Sequence, residues 1–273
     1  MEQNTSIIII GQPGTSKTTY LSQLVLQVEG KKKAIKFRNK PDDLSVLKDA
    51  IAQLRSGQEV QATPSDNNEI IKLPLSIDGN EVDLICPDYA GEQISNLLES
   101  REIDVKWIDL IVNSNAWIIF VRPTQLTVSY DISTKSIQEA EAVKQPSDAE
   151  FQISDQSNLI ELLQILRHYK KLTVQQETKV LKLLVTFTCW DELDGKDTPL
   201  EYIQKQLPLF YEYIANNWNK DSFSFAGLSA QGGKIAEVKE NYEIFGPEES
   251  AYIVEQNGGD NLFDLSLLIT KVL

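Results

Sequence analysis

The chain has 273 residues, 41% of them hydrophobic, and a formal net charge of −14. This composition can form a packed core and excludes a disordered chain. The negative charge, with a sequence pI near 4.6, argues against binding to the phosphate backbone of DNA or RNA and to an anionic membrane surface. Any anionic ligand would therefore need a local binding site.

Length and residue usage also bound the organisation of the chain. The length suits one large α/β domain, so we expect a single domain over residues 1–273. No apolar run approaches the ~18 residues of a membrane span, and the N-terminal MEQNTS lacks the basic start of a signal peptide. Cys86 and Cys189 are far apart and form no CxxC pair. We therefore expect a reduced, cytoplasmic setting.

The strongest pattern runs from Ile7 to Thr19 and reads IIIIGQPGTSKTT. Four apolar β-branched residues predict a buried strand, and the glycine-containing segment after them predicts a phosphate loop. The following apolar residues recur on one face at helical spacing, which predicts a helix. They are Leu21, Leu24, Val25 and Val28. The pattern as a whole is strand, phosphate loop, helix.

The chemistry of this loop suits a triphosphate. Glycines allow the tight turn that points backbone N–H groups at the phosphates, and a helix N-terminus favours the charge. Lys17 would add a point charge, and the hydroxyl of Thr18 would bind Mg²⁺. Ser16 stands where GxxxxGK[ST] has its second glycine, at a position where we expect the helix to open and a small L-residue to fit. A chance match is the alternative. The expected nucleotide contacts are Gly11, Gly14, Thr15, Ser16, Lys17, Thr18 and Thr19.

Further along, the chain predicts a short strand, a helix, a polar loop and a hairpin. The short strand is 34–37, and the helix starts at Pro41 and ends at Gly57. The polar loop VQATPSD carries Thr63. Asp78-Gly79-Asn80 is typical of a hairpin turn, and it would join strands 70–77 and 82–86.

The second strand of this hairpin leads into ICPDYAGEQ, a DxxG pattern formed by Asp88 and Gly91. The carboxyl ends of strands are where open α/β sheets bind ligands. An aspartate there can hold Mg²⁺ through water, and a glycine N–H can meet a γ-phosphate. DxxG alone is a weak signal, but its place on the next strong strand after a phosphate loop strengthens it.

The second half of the chain predicts alternating helices and strands around a polar insertion. His168, the only histidine, is expected to be an ordinary residue on a helix surface. The insertion, about 129–156, is acidic and follows a central strand, so it should rise on the ligand side as a lid or partner surface. Helices are predicted over 92–101, 107–112, 159–169, 200–214 with a bend near Pro208, and 262–272; strands are predicted over 116–121, 180–188 and 223–228.

Five segments then occur in the order of the five boxes of Ras-like GTPases: GQPGTSKT, the Thr63 loop, DYAGE, TCWD and SAQ. The sequence resembles the TRAFAC-clade GTPase domains of bacterial operons, particularly those called double-GTPase-like. The resemblance covers Gly11 to Gln231. It implies a single GTPase-like domain with a P-loop α/β fold, a mostly parallel sheet, one antiparallel edge from the hairpin at 70–86, and helices on both faces.

The resemblance also implies a guanine site. Asp191 matches the aspartate that accepts hydrogen bonds from guanine N1 and N2, and Ser229 and Ala230 match the loop whose backbone N–H recognises guanine O6. Thr188 replaces the usual asparagine, and Cys189 replaces the lysine whose stem covers the base. Taken singly, Asp191 also reads as a helix N-cap and Ser229-Ala230 as an ordinary turn.

For catalysis, the resemblance implies Thr63 at Mg²⁺ and the γ-phosphate, although Thr63 alone is also an ordinary loop hydroxyl. Gly91 and Lys17 would meet the γ-phosphate. Glu92 stands where small GTPases have the glutamine that orients the attacking water, and Gln93 is one place late. A carboxylate there suits the phosphate charge poorly without a compensating cation, so slow turnover is expected. Candidates for that cation within the chain are Arg101 and Arg122.

The resulting hypothesis is a Mg²⁺-dependent switch that hydrolyses GTP to GDP and controls a partner protein, in a bacterial defence system as the resemblance implies. Its cofactors would be GTP or GDP and Mg²⁺, with nucleotide-dependent self-association as one source of the cation, and without direct contact to nucleic acid or membrane. A non-hydrolysing nucleotide-dependent scaffold is one alternative, which phosphate release would separate. A P-loop ATPase or kinase is another, which competition between GTP and ATP would decide.

Overall fold

The computed structural model describes residues 4–30, 35–41, 43–61, 69–88, 94, 97–98, 100, 103–127, 154–171, 181–193, 195 and 197–273. These residues form one sheet whose strands lie in the order β2-β3-β4-β1-β5-β6-β7-β8. The strands are β1 Thr5–Gly11, β2 Ile35–Phe37, β3 Glu69–Ile77, β4 Asn80–Asp88, β5 Ala116–Val121, β6 Lys182–Thr188, β7 Phe223–Ser229 and β8 Tyr252–Glu255.

Helices lie on both faces of this sheet. Those with described bounds are α1 Lys17–Gly30, α2 Ser45–Arg55, α3 Val105–Asn113, α4 Asp155–Tyr169, α5 Pro199–Gln206, α6 Pro208–Asn217, α7 Ile235–Phe245 and α8 Leu267–Thr270. Within the described ranges, no helix is both long enough and apolar enough to pass through a bilayer.

The sheet is mostly parallel, as predicted. The strands β4, β1, β5, β6 and β7 run parallel, and their carboxyl ends meet at one edge. Strand β3 pairs antiparallel with β4, and β2 pairs antiparallel with β3. A second antiparallel edge, which the sequence did not predict, is formed by β8 on β7.

The central position of β1 explains its run of isoleucines. Ile7 and Ile9 face one hydrophobic cluster, and Ile8 and Ile10 face another on the opposite side of the sheet. Each is at most 1% exposed. A strand covered on both faces reads as a continuous apolar run, because alternate side chains enter different cores. The run therefore places the loop after β1 in the middle of the sheet edge.

The predicted hairpin is confirmed. Asp78 and Gly79 have φ values of 49° and 86°, as a two-residue turn of the hairpin type requires. The register runs from Ile77 opposite Asn80 to Glu69 opposite Asp88. The hairpin therefore delivers the carboxyl end of β4 to the same edge as the loop after β1.

Residues on both sides of β8 pack on α1. The buried side chain of Gln27 donates to the carbonyls of Glu248 and Phe263 at 3.0 and 2.9 Å and accepts from the backbone nitrogen of Leu265 at 3.0 Å. The Tyr20 hydroxyl donates to the carbonyl of Leu265 at 3.2 Å. The helix that follows the predicted phosphate loop is thus fixed by residues far downstream.

The predicted helix over 262–272 is wrong in extent, because only Leu267–Thr270 is α-helical. The backbone nitrogen of Leu262 donates to the carbonyl of Ile253 at 2.9 Å, as part of an isolated β-bridge. The nitrogen of Leu265 donates to the glutamine side chain of α1. The carbonyls of Leu262 and Phe263, which a helix would pair with nitrogens four residues later, instead accept from the nitrogen of Ile253 at 2.8 Å and from the Gln27 side chain at 2.9 Å. Helix α7 was not predicted.

Other predictions have mixed outcomes. The bent helix over 200–214 is two helices, α5 and α6, which meet at Leu207. His168 lies exposed on α4, as expected. In the predicted helix over 92–101, the described residues Ile94, Leu97, Leu98 and Ser100 are helical. Most of the predicted insertion lies outside the described residues.

Candidate functional site

The loop after β1 has the backbone of a tight turn. Gly14 has a φ of 70°, which glycine adopts without strain. Ser16 has a φ of 59°, so it is left-handed, and α1 begins one residue later at Lys17. The expectation that residue 16 opens the helix therefore differs from the structure by one position. Thr15, which is 3% exposed, donates from its hydroxyl to the carbonyl of Gln12 at 2.7 Å and closes the loop on itself.

Lys17 is held inside this loop. Its ammonium donates to the carbonyls of Gly11 and Gln12 at 2.7 and 2.9 Å, and the residue is 8% exposed. Of the next two residues in the first turn of α1, Thr18 is half-buried and Thr19 is buried. A positive charge, a turn that exposes backbone N–H groups and a helix N-terminus thus coincide, which is the set of features that binds phosphate.

The loop after β6 is anchored by an aromatic ring. Cys189 is left-handed, with φ and ψ of 51° and 42°, and the chain then makes a 3₁₀ turn over Trp190–Glu192. Trp190 packs on Gly227 of β7 so closely that a Cβ on that glycine would lie 2.7 Å from the ring. Asp191 follows the anchored tryptophan and is exposed. We call residues 189–193 the base loop.

Thr188, which precedes the base loop, is fully buried. Its hydroxyl donates to the carbonyl of Val121 at 3.4 Å, so the side chain ties β6 to the neighbouring strand β5. The residue lies at the predicted sheet edge, and its described contact is within the sheet. A direct contact between Thr188 and a nucleotide stays a prediction.

The loop after β7 lies beside the base loop. The hydroxyl of Ser229 accepts from the backbone nitrogen of Gly232 at 3.0 Å, and Ala230 is 3% exposed. Burial is the main cause of the raised pKa of both Tyr242 and Tyr252, and the negative charge of Asp191 adds to it in each case. Tyr252 pairs with Ser229 across β8 and β7, and Tyr252, Asp191 and Gly232 line the same cleft.

A polar cleft of about 780 Å³ opens between these two loops. Its lining includes Trp190, Asp191, Gly232, Gly233 and Lys234. The predicted base-reading carboxylate of Asp191 therefore borders an open space at the carboxyl edge of the sheet, opposite Gly232, whose backbone nitrogen donates to the Ser229 hydroxyl. That edge is where the strand order reverses around β1 and where open α/β sheets bind their ligands.

Side chains also connect the phosphate loop with the base loop. The Ser16 hydroxyl and the Cys189 thiol lie 3.2 Å apart. Arg122, just after β5, donates to the carbonyl of Gly14 at 3.2 Å and lies 2.6 Å from a carboxylate oxygen of Glu192. Burial of Arg122 lowers the pKa of its guanidinium, but the hydrogen bond to Glu192 and the charge of Asp191 raise that pKa more, so the net shift is upward.

The thiol of Cys189 has a different character. Burial raises the pKa of Cys189, and the charges of Glu192 and Asp191 add to that effect against the lowering effects of Ser16 and Arg122. The group is therefore a neutral thiol at neutral pH and supplies no anion to the site. Its contribution here is a hydrogen bond with the Ser16 hydroxyl, in which either group can be the donor.

Sequence reasoning missed Glu192 and gave Arg122 only as a candidate cation. An arginine at the end of one buried strand and an acidic residue after the next are a readable signal, because neighbouring parallel strands end side by side. The pairing itself could be recognised only from the distances in the structure.

The remaining predicted site residues lie outside the described residues: Thr63, Gly91, Glu92, Gln93 and Arg101. For Asp88, only its backbone position at the end of β4 is described.

Comparison with known proteins gives one family. The family model described as Double-GTPase 1 matches residues 8–272. No curated protein matches the sequence significantly. Among solved structures, a bacterial selenocysteine-specific elongation factor, EF-Sec, matches with 14% identity and a TM-score of 0.41, over 89% of this chain and 28% of that one.

The GTPase-like domain of Ski7 from S. cerevisiae, solved bound to GTP, matches with 12% identity and a TM-score of 0.43. That alignment covers 85% of this chain and 44% of the Ski7 chain. The present chain thus spans less than half the length of each of these two solved chains.

Proposed function

The chain belongs to the Double-GTPase 1 family, and from this premise we propose that it is a Mg²⁺-dependent molecular switch that binds GTP and hydrolyses it to GDP. The family itself supports binding of a guanine nucleotide. The observation that carries the proposal further is the meeting of two loops at one sheet edge. The phosphate loop holds the buried ammonium of Lys17, and the base loop presents Asp191.

The phosphate loop would bind the polyphosphate. Backbone N–H groups around Gly14 and at the start of α1 are the donors, and the helix N-terminus adds a favourable partial charge. The Lys17 ammonium already lies against two loop carbonyls, so little ordering remains to be done when an anion arrives.

The metal would be held by oxygen donors at the same edge. Hydroxyl and carboxylate oxygens are the ligands that Mg²⁺ prefers, and Thr18, Thr63 and Asp88 supply that chemistry. Thr18 lies in the first turn of α1, and β4 ends at Asp88 beside β1. When bound, the ion supplies positive charge to the outer phosphate oxygens.

The base loop would read guanine. The Asp191 carboxylate has two acceptor oxygens for the two N–H groups on the guanine edge, which adenine does not present in that arrangement. Ser229 and Ala230 are buried at the start of the loop after β7, which borders the cleft at Gly232 and Gly233, and a backbone N–H of this loop would donate to guanine O6. The anchoring of Trp190 on β7 keeps the carboxylate in place.

For hydrolysis we propose that Gly91 binds the γ-phosphate and that Glu92 or Gln93 positions the attacking water. A carboxylate at this position repels the phosphate charge, so turnover by the isolated chain should be slow. The contacts of Arg122 argue against it as the source of the missing cation. Its donors are directed to Glu192, Thr124 and the carbonyl of Gly14.

The proposed output is a state-dependent surface. The loops that carry Thr63 and Gly91 would change conformation when the γ-phosphate is lost and would so control a partner protein. The resemblance to GTPase domains of bacterial defence operons favours such a role. Self-association of two nucleotide-bound chains, or a second protein, would supply the missing cation.

Equilibrium binding tests this proposal. We expect GTP and GDP to bind the purified chain, GTP affinity to depend on Mg²⁺, and a large excess of ATP not to displace them. Equal binding of ATP would favour the ATPase or kinase alternative. Phosphate release under single-turnover conditions then separates a slow GTPase from a non-hydrolysing scaffold, because a scaffold would release none.

A further inference from the structure

Arg122 lies between the two loops to which nucleotide binding is assigned. One guanidinium nitrogen donates to the carbonyl of Gly14 in the phosphate loop at 3.2 Å. Another lies 2.6 Å from the carboxylate of Glu192 in the base loop. The Thr124 hydroxyl donates to the same carboxylate at 2.8 Å and helps to fix its orientation. One side chain therefore touches both loops.

Among the described residues, no backbone hydrogen bond is seen between the phosphate loop and the base loop. The phosphate loop follows β1 and the base loop follows β6, and β5 lies between these strands in the sheet. Arg122 stands immediately after β5, at the point from which a long side chain can reach both neighbours. The contact between Ser16 and Cys189, at 3.2 Å, is a second point where the loops meet.

The ion pair contributes little to the stability of the fold. The side chains of Arg122 and Glu192 are 28% and 32% exposed. Ion pairs with this much solvent contact add little free energy of folding, because water screens them and both side chains must be ordered. The geometry they impose is specific, since a guanidinium fork bound to a carboxylate fixes direction as well as distance.

We propose that Arg122 and Glu192 are positioning residues that couple the phosphate loop to the base loop. This inference rests on the proposed function, because it assumes that the ligand is a guanine nucleoside di- or triphosphate that contacts both loops. A ligand that occupies both loops gains from their being held together, since neither loop then has to be ordered separately on binding. A polyphosphate without a base occupies one loop and gains much less.

For one variant, a purely electrostatic role and the coupling of the loops predict opposite changes in GDP affinity. Replacing Glu192 by glutamine removes a negative charge near an anion site, so a purely electrostatic role predicts tighter binding of GDP. Under the coupling, the same change releases Arg122 from the base loop and weakens GDP binding. Inorganic tripolyphosphate, which has no base, should bind Glu192→Gln at least as tightly as the unaltered chain.

The experiment is calorimetric titration of GDP and of inorganic tripolyphosphate into the unaltered chain, Arg122→Ala, Glu192→Gln and the double variant. We expect each single change to raise the Kd of GDP about tenfold, in the range of directly coupled neighbours. The double variant should lose no more than Arg122→Ala, because the two residues act in series. Melting temperatures without ligand should stay close to that of the unaltered chain.

A matched control is the exposed pair of Arg55 and Glu29, whose atoms lie 2.8 Å apart on α2 and α1. Arg55→Ala and Glu29→Gln should leave both affinities unchanged. If Arg122→Ala does not fold, Glu192→Gln with the Arg122→Lys variant carries the test, since lysine keeps the charge but not the fork.

Three results would overturn the coupling: unchanged or tighter GDP binding by Glu192→Gln, additive losses in the double variant, or equal weakening of GDP and tripolyphosphate. The last would mean that the phosphate loop alone is distorted. A folded, unaltered chain that binds no guanine nucleotide would instead refute the proposed function, so the two failures are distinguishable.

Discussion

Ser16 has a backbone conformation that L-residues rarely adopt. Its φ of 59° is left-handed, and such a conformation costs an L-residue about 1 kcal/mol or more relative to glycine. The residue keeps the loop geometry that glycine would give, and its hydroxyl reaches the thiol of Cys189 at 3.2 Å. The departure from the usual loop pattern thus adds a contact to the base loop.

Lys17→Met should reduce GTP and GDP affinity by about 10- to 100-fold, the range for charged hydrogen bonds of about 1.5–3 kcal/mol. Methionine keeps the buried stem but leaves the carbonyls of Gly11 and Gln12 without this donor, so the chain should stay folded and lose about 1 kcal/mol of stability. Calorimetry and a melting curve check this. Lys48→Met is the control, because Lys48 is exposed on α2 and does not line the cleft. Affinity equal to that of the unaltered chain would remove Lys17 from the site.

Asp191→Asn should move the preference from GTP toward xanthosine triphosphate. The amide presents a donor where guanine N2–H is a donor, and such a mismatch is worth roughly 100-fold. Competition binding with both nucleotides measures the change. Asp197→Asn alters a carboxylate in the same cleft and should keep the GTP preference. If Asp191→Asn also keeps it, guanine is read elsewhere.

At the scale of elements, β7 supports the base loop, because Trp190 packs on Gly227. Gly227→Ala would place a Cβ 2.7 Å from the Trp190 ring, and such overpacking should cost about 1–3 kcal/mol of stability. Displacement of the loop should also lower GTP affinity. Denaturant unfolding and GTP titration check both effects. Gly195→Ala is the control, because its Cβ would meet only the nitrogen of Asp197, at 3.8 Å. Unchanged affinity in Gly227→Ala would contradict the anchoring role.

The end of α3 depends on a lysine from α4. The ammonium of Lys170 donates to the carbonyls of Ile111, Val112 and Ser114 at 3.2, 2.8 and 2.6 Å, and burial lowers its pKa. Lys170→Met should destabilise the fold by about 1 kcal/mol, because the cost of burying the ammonium partly offsets three hydrogen bonds. Thermal unfolding tests this against Lys171→Met, an exposed neighbour. A variant as stable as that control would show that the cap is dispensable.

At the scale of the whole molecule, buried tyrosines set the response to alkali. Burial raises the pKa of Tyr20 and Tyr242, and it raises that of Tyr202 from 10.0 to about 12. A group whose folded pKa is raised binds its proton more tightly in the folded state. Its stabilising effect is therefore complete below the unfolded pKa and is lost as the pH rises from about 10 to about 12.

We therefore expect the free energy of unfolding to fall steeply above pH 10, measured by urea unfolding from pH 8 to pH 12. Tyr202→Phe removes one of the titrating groups, so its curve should fall less steeply in this range. An identical slope in the variant would show that Tyr202 ionises as freely in the folded chain as in the unfolded one.

Much of the fold could be predicted, because short sequence patterns indicated the individual strands and turns. The isoleucine run predicted a buried strand, and Asp78-Gly79-Asn80 predicted a hairpin, whose register the structure then gave. Strand β8 was missed because YIVE is four residues long and its pairing with β7 depends on tertiary contact. The helix predicted over 262–272 has helical spacing of its leucines, but partners elsewhere in the fold take its first backbone groups.

The candidate site could be predicted where it is contiguous in sequence. The phosphate loop and the order of the strand ends were readable, because each is a local motif. The pairing of Arg122 with Glu192 was not, since the sequence gives no distance between loops on different strands. Thr63, Glu92 and Gln93 lie outside the described residues and stay predictions.

The bonds that fix α1 to distant residues also set an order of events during synthesis. Gln27 and Tyr20 find their partners 221 to 245 positions downstream. Until the ribosome has synthesised residues 248–265, the side-chain amide of Gln27 lacks these hydrogen-bond partners. Burying the amide before then would cost free energy. The nascent chain therefore carries the phosphate-loop sequence long before its helix can settle. We therefore expect the phosphate loop to bind nucleotide only after residues 248–265 have left the ribosome and packed on α1.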